Sequence, residues 1–564
     1  MRAYCAEIAV VCGDGASDAK TVWGDVADKV IVSSCLPGGH ERWRTGLAAY
    51  GADKLKAFDA VILLDDHCMG PVFAPDDLFA RMTESGMDFW GLSDCCDGEK
   101  DSRSVLWPHF LAAGGEVLAE WCRRTDWRTP QRRGEITTGI ALGEELEALG
   151  FRRSVAFPGG TEHSKDPMLF SPVEILTQQH IPFFSRDVFC APYDELVAYS
   201  TARQGKSLME HLQRNTDYDT DPLWEYLLAT QHMYDLGRSL ALYRILPTDR
   251  CEAREERRNS SSVALVIHMH YEECISYCYR YACSMPEDAD IYLTATSETL
   301  KNKLEQVFGQ SFGDRMEIRV IENRGRDVSA LLVACRDLFE RYEILCFAHD
   351  KKAHGREYGI VGEGFAEHCF QNVLATSCYV RNILARFDAE PRLGLLCPPP
   401  PFHANHYELI GNEWTVNYPT VKRLAEEFEV RAPMDSSIPP VAPLGTIFWF
   451  RTDALRPLAE RNWSYSDFPP EPNGLDGTLL HGLERLYPYV AQQSGYYSAW
   501  TATTEYAQRY THDLVYKLRS ARWQYSEGSV GRFILLRVKD YFKKRLPESV
   551  WKCLKRFWLI LKKR

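Results

Sequence analysis

With 564 residues, the chain has room for two to four domains, each large enough to bury a core of its own. Hydrophobic residues make up 45% and charged residues 26%, the balance of a soluble globular protein, and no apolar run reaches the roughly 18 residues of a membrane-spanning helix. The net charge of −12 is uneven: positions 521–564 hold 13 Lys and Arg against three Asp and Glu, a net of +10, which leaves −22 on the rest and predicts a separate partner for the tail.

No secretory signal is expected at the start of the chain. None of the 18 cysteines forms a CxxC pair, so a zinc ribbon is not expected, and the cysteines read as reduced, mostly buried thiols of a cytosolic protein. EIAVV (7–11) and KVIVS (29–33) are the first candidate strands. RWRTGLAAYGADKLKAFDAVILLDDHC (42–68) then aligns without a gap to RDVSALLVACRDLFERYEILCFAHDKK (326–352), at an offset of 284 that sets Asp66 on Asp350. HFLAAGGEVL (109–118) resembles TIFWFRTDAL (446–455), and GIALGEELEALGF (139–151) resembles TLLHGLERLYPYV (478–490). Three segments matching in one order predict a tandem duplication. The first half is read as 1–170, followed by a helical subdomain at 171–246, where PLWEYLLATQHMYDLGRSLALYRIL carries helical apolar spacing. A polar linker at 247–261 comes next.

From 262 to 505, strands and helices alternate. VALVIHMH, DIYLTAT, EIRVIEN and EILCFAHD read as strands, and ECISYCYRYA, SETLKNKLEQVF and VSALLVACRDLFERY as helices. Repeated βα units predict a doubly wound, mostly parallel α/β sheet, whose ligands bind at the carboxyl ends of the strands. Three polar clusters fall at such ends. In Asn323-Arg324-Gly325-Arg326-Asp327, the glycine permits a tight turn, the following helix start offers amides to an anion, and the arginines are placed to clamp a diphosphate. In His349-Asp350-Lys351-Lys352, the aspartate is a candidate ligand for Mg²⁺ or Mn²⁺, and the lysines suit a leaving nucleoside diphosphate. His268 and His270 alternate on a strand, so one of them is expected to face the site. Later, Asp476 stands before a helix carrying His481 and Glu484; it is placed either to deprotonate an acceptor hydroxyl or to cap that helix.

The order of these segments resembles GT-A-type glycosyltransferases, and more closely the rhamnan synthesis protein F family. The resemblance rests on NRGRD (323–327), HDKKA (349–353), DGTLLHGLERL (476–486), FDAVILLDDHCMGP (58–71) and DFWGLSD (88–94), and covers roughly residues 40–500. It implies two tandem GT-A-like halves and a hexosyltransferase that builds a surface polysaccharide. The implied donor is the nucleotide-sugar dTDP-L-rhamnose, and the implied acceptor a lipid-linked glycan at the inner membrane face, alongside other assembly enzymes. The first half departs from the pattern. DDHC replaces HDKK, and Thr137, with Glu135 nearby, stands where Asp476 does. It is either a degenerate copy or a second transferase with Asp65-Asp66 as its carboxylate pair.

The tail, 506–564, is divided by Pro547. After it, Trp551, Leu554, Trp558 and Leu561 recur at helical spacing among lysines and arginines. A basic amphipathic helix with interfacial tryptophans predicts peripheral attachment to an anionic cytoplasmic leaflet; docking on a partner or on the acidic body is the alternative, and nucleic acid is not expected. Against the transferase stands a non-catalytic scaffold of the same fold. A serine hydrolase lacks support, since no GxSxG elbow occurs.

Overall fold

The computed structural model describes residues 2–13, 23–33, 39–96, 104–125, 138–158, 166–251, 262–351, 359–403, 406–474 and 476–525. The chain divides into two compact units. Unit 1 comprises Met1–Leu242, Ala425–Val441 and Pro488–Ser498; unit 2 comprises Tyr243–Leu424, Ala442–Tyr487 and Ala499–Arg564. The helical segment read as a separate subdomain falls in unit 1 as far as Leu242. Among the described residues no helix is long and apolar enough to cross a membrane.

In unit 1, β1 (Ala9–Gly13) and β2 (Lys29–Ser33) form a parallel pair. Then come β3 (Ala60–Leu64), β4 (Cys68–Met69), β5 (Phe89–Cys96), β6 (Ser104–Leu106), β7 (Phe110–Gly114), β8 (Arg153–Phe157) and β9 (Phe184–Ser185). Strands β3, β7, β5 and β6 lie in that order, with β8 parallel to β5. Successive residues alternate between two cores, as a pleated strand requires. Phe89, Leu111 and Ala113 join Trp43, Leu118 and Trp121 on one side; Trp90, Phe110 and Ala112 join Trp107, Met168 and Phe183 on the other.

Unit 2 holds an eight-stranded sheet. In chain order its strands are β10 (Tyr243–Leu246), β11 (Val263–Met269), β12 (Asp290–Ala295), β13 (Met316–Val320), β14 (Ile344–His349), β15 (Leu393–Cys397), β16 (Phe448–Arg451) and β17 (Tyr497–Thr503). Their order across the sheet is β10-β17-β15-β16-β14-β11-β12-β13. The run β14-β11-β12-β13 is parallel, as the βα alternation predicts. Strand β16 is antiparallel to β14 and β15, so the sheet is mixed. Every residue of β11 and β15 is buried, which is why β11 reads as a nearly continuous apolar run, interrupted only by His268, rather than an alternating one.

Two expectations are corrected. VSALLVACRDLFERY is not one helix: a short helix (Arg326–Ser329) passes into a π-helical stretch (Ala330–Ala334) before a second helix (Leu338–Arg341). The Ser329 hydroxyl bonds back to the carbonyls of Arg324 and Arg326, and back-bonding of this kind bends helices. Nor are the cysteines all reduced. Cys251 and Cys378, 127 residues apart, form a disulfide, a pairing that spacing could not reveal.

Candidate functional site

At the carboxyl ends of the parallel strands, unit 2 encloses a cavity of about 980 Å³, within the usual range for small-molecule sites. Strands β11 and β14 set His268 directly beside His349. His268 Nδ1 meets the Thr294 hydroxyl at 2.8 Å, and burial pushes its pKa down to about 3, so the ring is neutral. His349 lies between the carbonyls of Gly445 (2.9 Å) and Asp350 (2.8 Å), and burial together with Lys351 lowers it too. His270 also lines the cavity. It lies just past the end of β11, where strand alternation no longer applies, so both histidines reach the site rather than one.

Asp327, in the first turn after Gly325, opens onto the same space. Burial favours its neutral form, but His349, Lys351, the Thr446 hydroxyl and His268 outweigh burial and hold it below the ordinary carboxylate range. Gly325 has φ +81°, and a Cβ there would stand 2.6 Å from the Phe468 ring, so only glycine fits.

The two arginines of this turn are not free to clamp a diphosphate. Arg324 donates to the carbonyls of Phe468 (2.7 Å) and Ser466 (3.1 Å). Arg326 grips both oxygens of Glu471 at 3.0 and 3.2 Å and the Asn473 carbonyl at 3.0 Å. Both guanidinium groups fasten the 466–473 segment that forms one wall. Asn323 and Arg326 line the cavity, whereas Arg324 and Gly325 do not.

Asp350 has a similar structural use. It is 5% exposed, and its Oδ2 accepts the backbone N–H groups of His270 and Tyr271. Among the described residues no trio of metal-ligating side chains includes it. Asp350 Oδ2 is thus already committed to the turn after β11. Burial pushes its pKa up to about 6, against the pull of those two amides and Lys351. The folded chain thus holds this proton more tightly than the unfolded chain. The ionised carboxylate costs stability above about pH 6, and the cost vanishes as the pH falls below about 4. Asp350→Asn keeps an oxygen for both amides. It is expected to be about 2–3 kcal/mol more stable than the parent at pH 7.5 and equal to it near pH 4. Urea unfolding at the two pH values checks this, and an unchanging difference would refute it.

Lys351 makes no ion pair among the described residues. Its Nζ lies 5.1 Å from the centre of the Phe365 ring. Gly445, at φ +90°, lets it approach, since a Cβ there would be 2.9 Å from Nζ. Lys352 lies outside the described residues, as do Thr137 and Glu135. Of the carboxylates in the wall, Glu471 is taken by Arg326, and Glu484 by the Gly445 amide, the Thr446 hydroxyl and Arg485. Asp476 is exposed. Its Oδ1 accepts from Asn417 (2.7 Å) and the Gly477 amide (2.8 Å). Although burial pushes it up, Asn417, Thr415 and Gly477 hold it below the ordinary range. Motif reading missed Glu471, Asn473, Thr446 and Asn417. None belongs to a recognisable local pattern, and each is brought in by a contact distant in sequence.

A family model described as rhamnan synthesis protein F matches residues 10–496. The uncharacterized protein WxcX of Xanthomonas campestris pv. campestris strain B100 is 31% identical over 450 residues, which is 71% of this chain and 61% of that protein. WxcX of a second strain is 31% identical over 188 residues, 33% of this chain and 25% of its own length. The chain thus spans less than two thirds of either relative. A solved structure, the mannosyltransferase PcManGT from Pyrobaculum calidifontis in complex with GDP-Man and Mn²⁺, overlaps with a TM-score of 0.24 and 10% identity over 45% of this chain and 60% of that one.

Proposed function

Because the chain belongs to the rhamnan synthesis protein F family, we propose that unit 2 is a glycosyltransferase. It moves a hexose, L-rhamnose from dTDP-L-rhamnose, onto a growing lipid-linked polysaccharide. The observation that carries this reading is the cavity at the strand ends, where Lys351, which makes no ion pair among the described residues, and an exposed carboxylate, Asp476, line the same space. A nucleotide-sugar brings an anionic diphosphate for the first, and an acceptor alcohol brings a proton for the second. Asp327, His349 and His268 line the same cavity. The arginines of the NRGRD turn hold the wall, and Asp350 holds the loop after β11.

Unit 1 is the related first half, which we take as a copy without donor chemistry. Supporting the kinship, β7 and β16 each run antiparallel to the strand that ends in the aspartate and lead directly into a helix, Gly115–Arg124 and Thr452–Glu460 respectively. The basic tail, of which 526–564 lies outside the described residues, would hold the enzyme against an anionic membrane at the cytoplasmic face. Each engaged basic residue is worth about 1 kcal/mol there.

One experiment tests enzyme, scaffold and tail together. The full chain and a chain ending at Ser526 are given dTDP-L-rhamnose with a lipid-linked and a short soluble acceptor, with and without Mg²⁺ or Mn²⁺, and are sedimented with anionic vesicles. Both chains should glycosylate the soluble acceptor. Only the full chain should pellet, releasing at high salt, and use the lipid-linked acceptor well. Absence of transfer with retained donor binding would favour the scaffold. Equal pelleting of both chains would remove the tail as anchor.

A further inference from the structure

Unit 1 carries a cluster that the sugar-transfer reading leaves unused. Strands β3 and β7 pair Leu64 with Phe110, so the next residues, Asp65 and His109, meet beyond the strand ends. His109 Nδ1 lies 2.7 Å from Asp65 Oδ2. Strand β4 pairs with β9, which carries the Arg186 amide to the His67 carbonyl (2.8 Å) and sets Asp187 beneath the His67 ring. There Nδ1 lies 2.9 and 3.0 Å from the two oxygens of Asp187. Three segments distant in sequence thus converge on one point. One donor atom each from His67, His109 and Asp187 lies within 4.8 Å of the others.

The geometry points to a binding site for a divalent transition-metal ion of the zinc class, with His67, His109 and Asp187 as ligands and Asp65 as the residue that orients His109. Two imidazoles and a carboxylate are the donor set such an ion prefers, and they disfavour Mg²⁺. A carboxylate on Nδ1 leaves the Nε2 lone pair of His109 to the metal, the usual support for a ligating histidine. The spacing of His67 Nδ1 from Asp187 is close to the edge of a tetrahedron with bonds of about 2 Å, roughly 3.3 Å. Charge favours a cation as well. Asp65 and Asp187 gather here, while Asp66 is paired with Arg186.

Without metal, the site is held shut by protons. The Arg186 guanidinium donates to His67 Nε2 at 2.9 Å. Arginine has no lone pair to give, so the His67 proton sits on Nδ1 and points at Asp187. The two rings lie face to face, 4.3 Å apart and 13° from parallel. Binding therefore moves the His67 proton from Nδ1 to Nε2, gives the Nδ1 lone pair to the metal and turns one ring about its Cβ–Cγ bond. Arg186 leaves Nε2 but keeps Asp66, which it already holds at 2.8 Å. Because the ion would tie the β3–β4 turn, the start of β7 and the turn after β9 together, its effect is on the stability of unit 1.

The full chain, stripped with chelator, is titrated with Zn²⁺ and Co²⁺. Zn²⁺ should raise the melting temperature and give a saturable binding isotherm in calorimetry. Co²⁺ should give a spectrum without thiolate charge transfer, despite the free cysteines of the chain, Cys68 beside His67 among them. His109→Ala and Asp187→Asn should abolish both effects. Asp65→Asn, which leaves all three ligands in place and serves if the others fail to fold, should weaken Zn²⁺ by about 10–100-fold. No bound ion, a thiolate band, or affinity unchanged in Asp65→Asn would each overturn the assignment.

Discussion

Asp476→Asn is expected to slow sugar transfer by about 10²–10⁴-fold, the usual worth of a general base, while leaving the affinity for the nucleotide-sugar close to that of the parent. An asparagine oxygen can accept from Asn417 and Gly477 as the aspartate does, so the loop should keep its form and lose only the charge. The pH profile carries a second check. Burial opposes ionisation of Asp476, but Asn417, Thr415 and the Gly477 amide prevail and hold its pKa below the ordinary value. The base is thus ready throughout the neutral range, and the acid limb of the rate should fall only below about pH 4 if this group governs it. Calorimetry with the donor beside a rate assay separates the two roles. A variant with near-normal turnover would return Asp476 to holding the start of the helix Leu479–Gln493.

Lys351→Ala should weaken binding of dTDP by about 10²-fold and lower kcat/KM by about 10²–10³-fold, the range found when one preorganised group facing developing negative charge is removed. A cation in a cavity wall with no carboxylate within 4.0 Å among the described residues is available to an incoming anion. The Phe365 face holds it without neutralising it. Loss should be greater for dTDP than for dTMP, because the contact is to the terminal phosphate. Equal affinities of parent and variant for dTDP would sink the assignment. The contrast with Arg326→Ala is informative. That side chain already spends its fork on Glu471, so its loss should loosen the 466–473 wall and lower thermal stability rather than act on phosphate directly.

The elements of unit 2 were legible because burial is written locally. VALVI and ILCFA are unbroken buried apolar runs, each followed by a histidine, and the observed spans, Val263–Met269 and Ile344–His349, lie within the expected strands. Chemistry at strand ends was legible for the same reason. Where the run ILCFA stops, the chain reaches the carboxyl edge of the sheet, and HDKK stands there.

The direction in which each side chain turns at that edge was decided by tertiary structure alone. Arg326 meets Glu471 and Arg324 meets Phe468, more than 140 residues away. Asp350 turns to the amides of His270 and Tyr271, some 80 residues earlier. Cys251 finds Cys378, and His67 finds Asp187 across 120 residues. A local pattern reports whether a residue is buried and in what kind of element, because those depend on near neighbours along the chain. A charged side chain instead takes the partner that offsets its lost hydration, and that partner is supplied by whichever distant segment the sheet order brings alongside. The apolar sequence therefore determined the strands and where their polar ends would lie, and only the closed fold decided which polar ends face the cavity and which hold its walls.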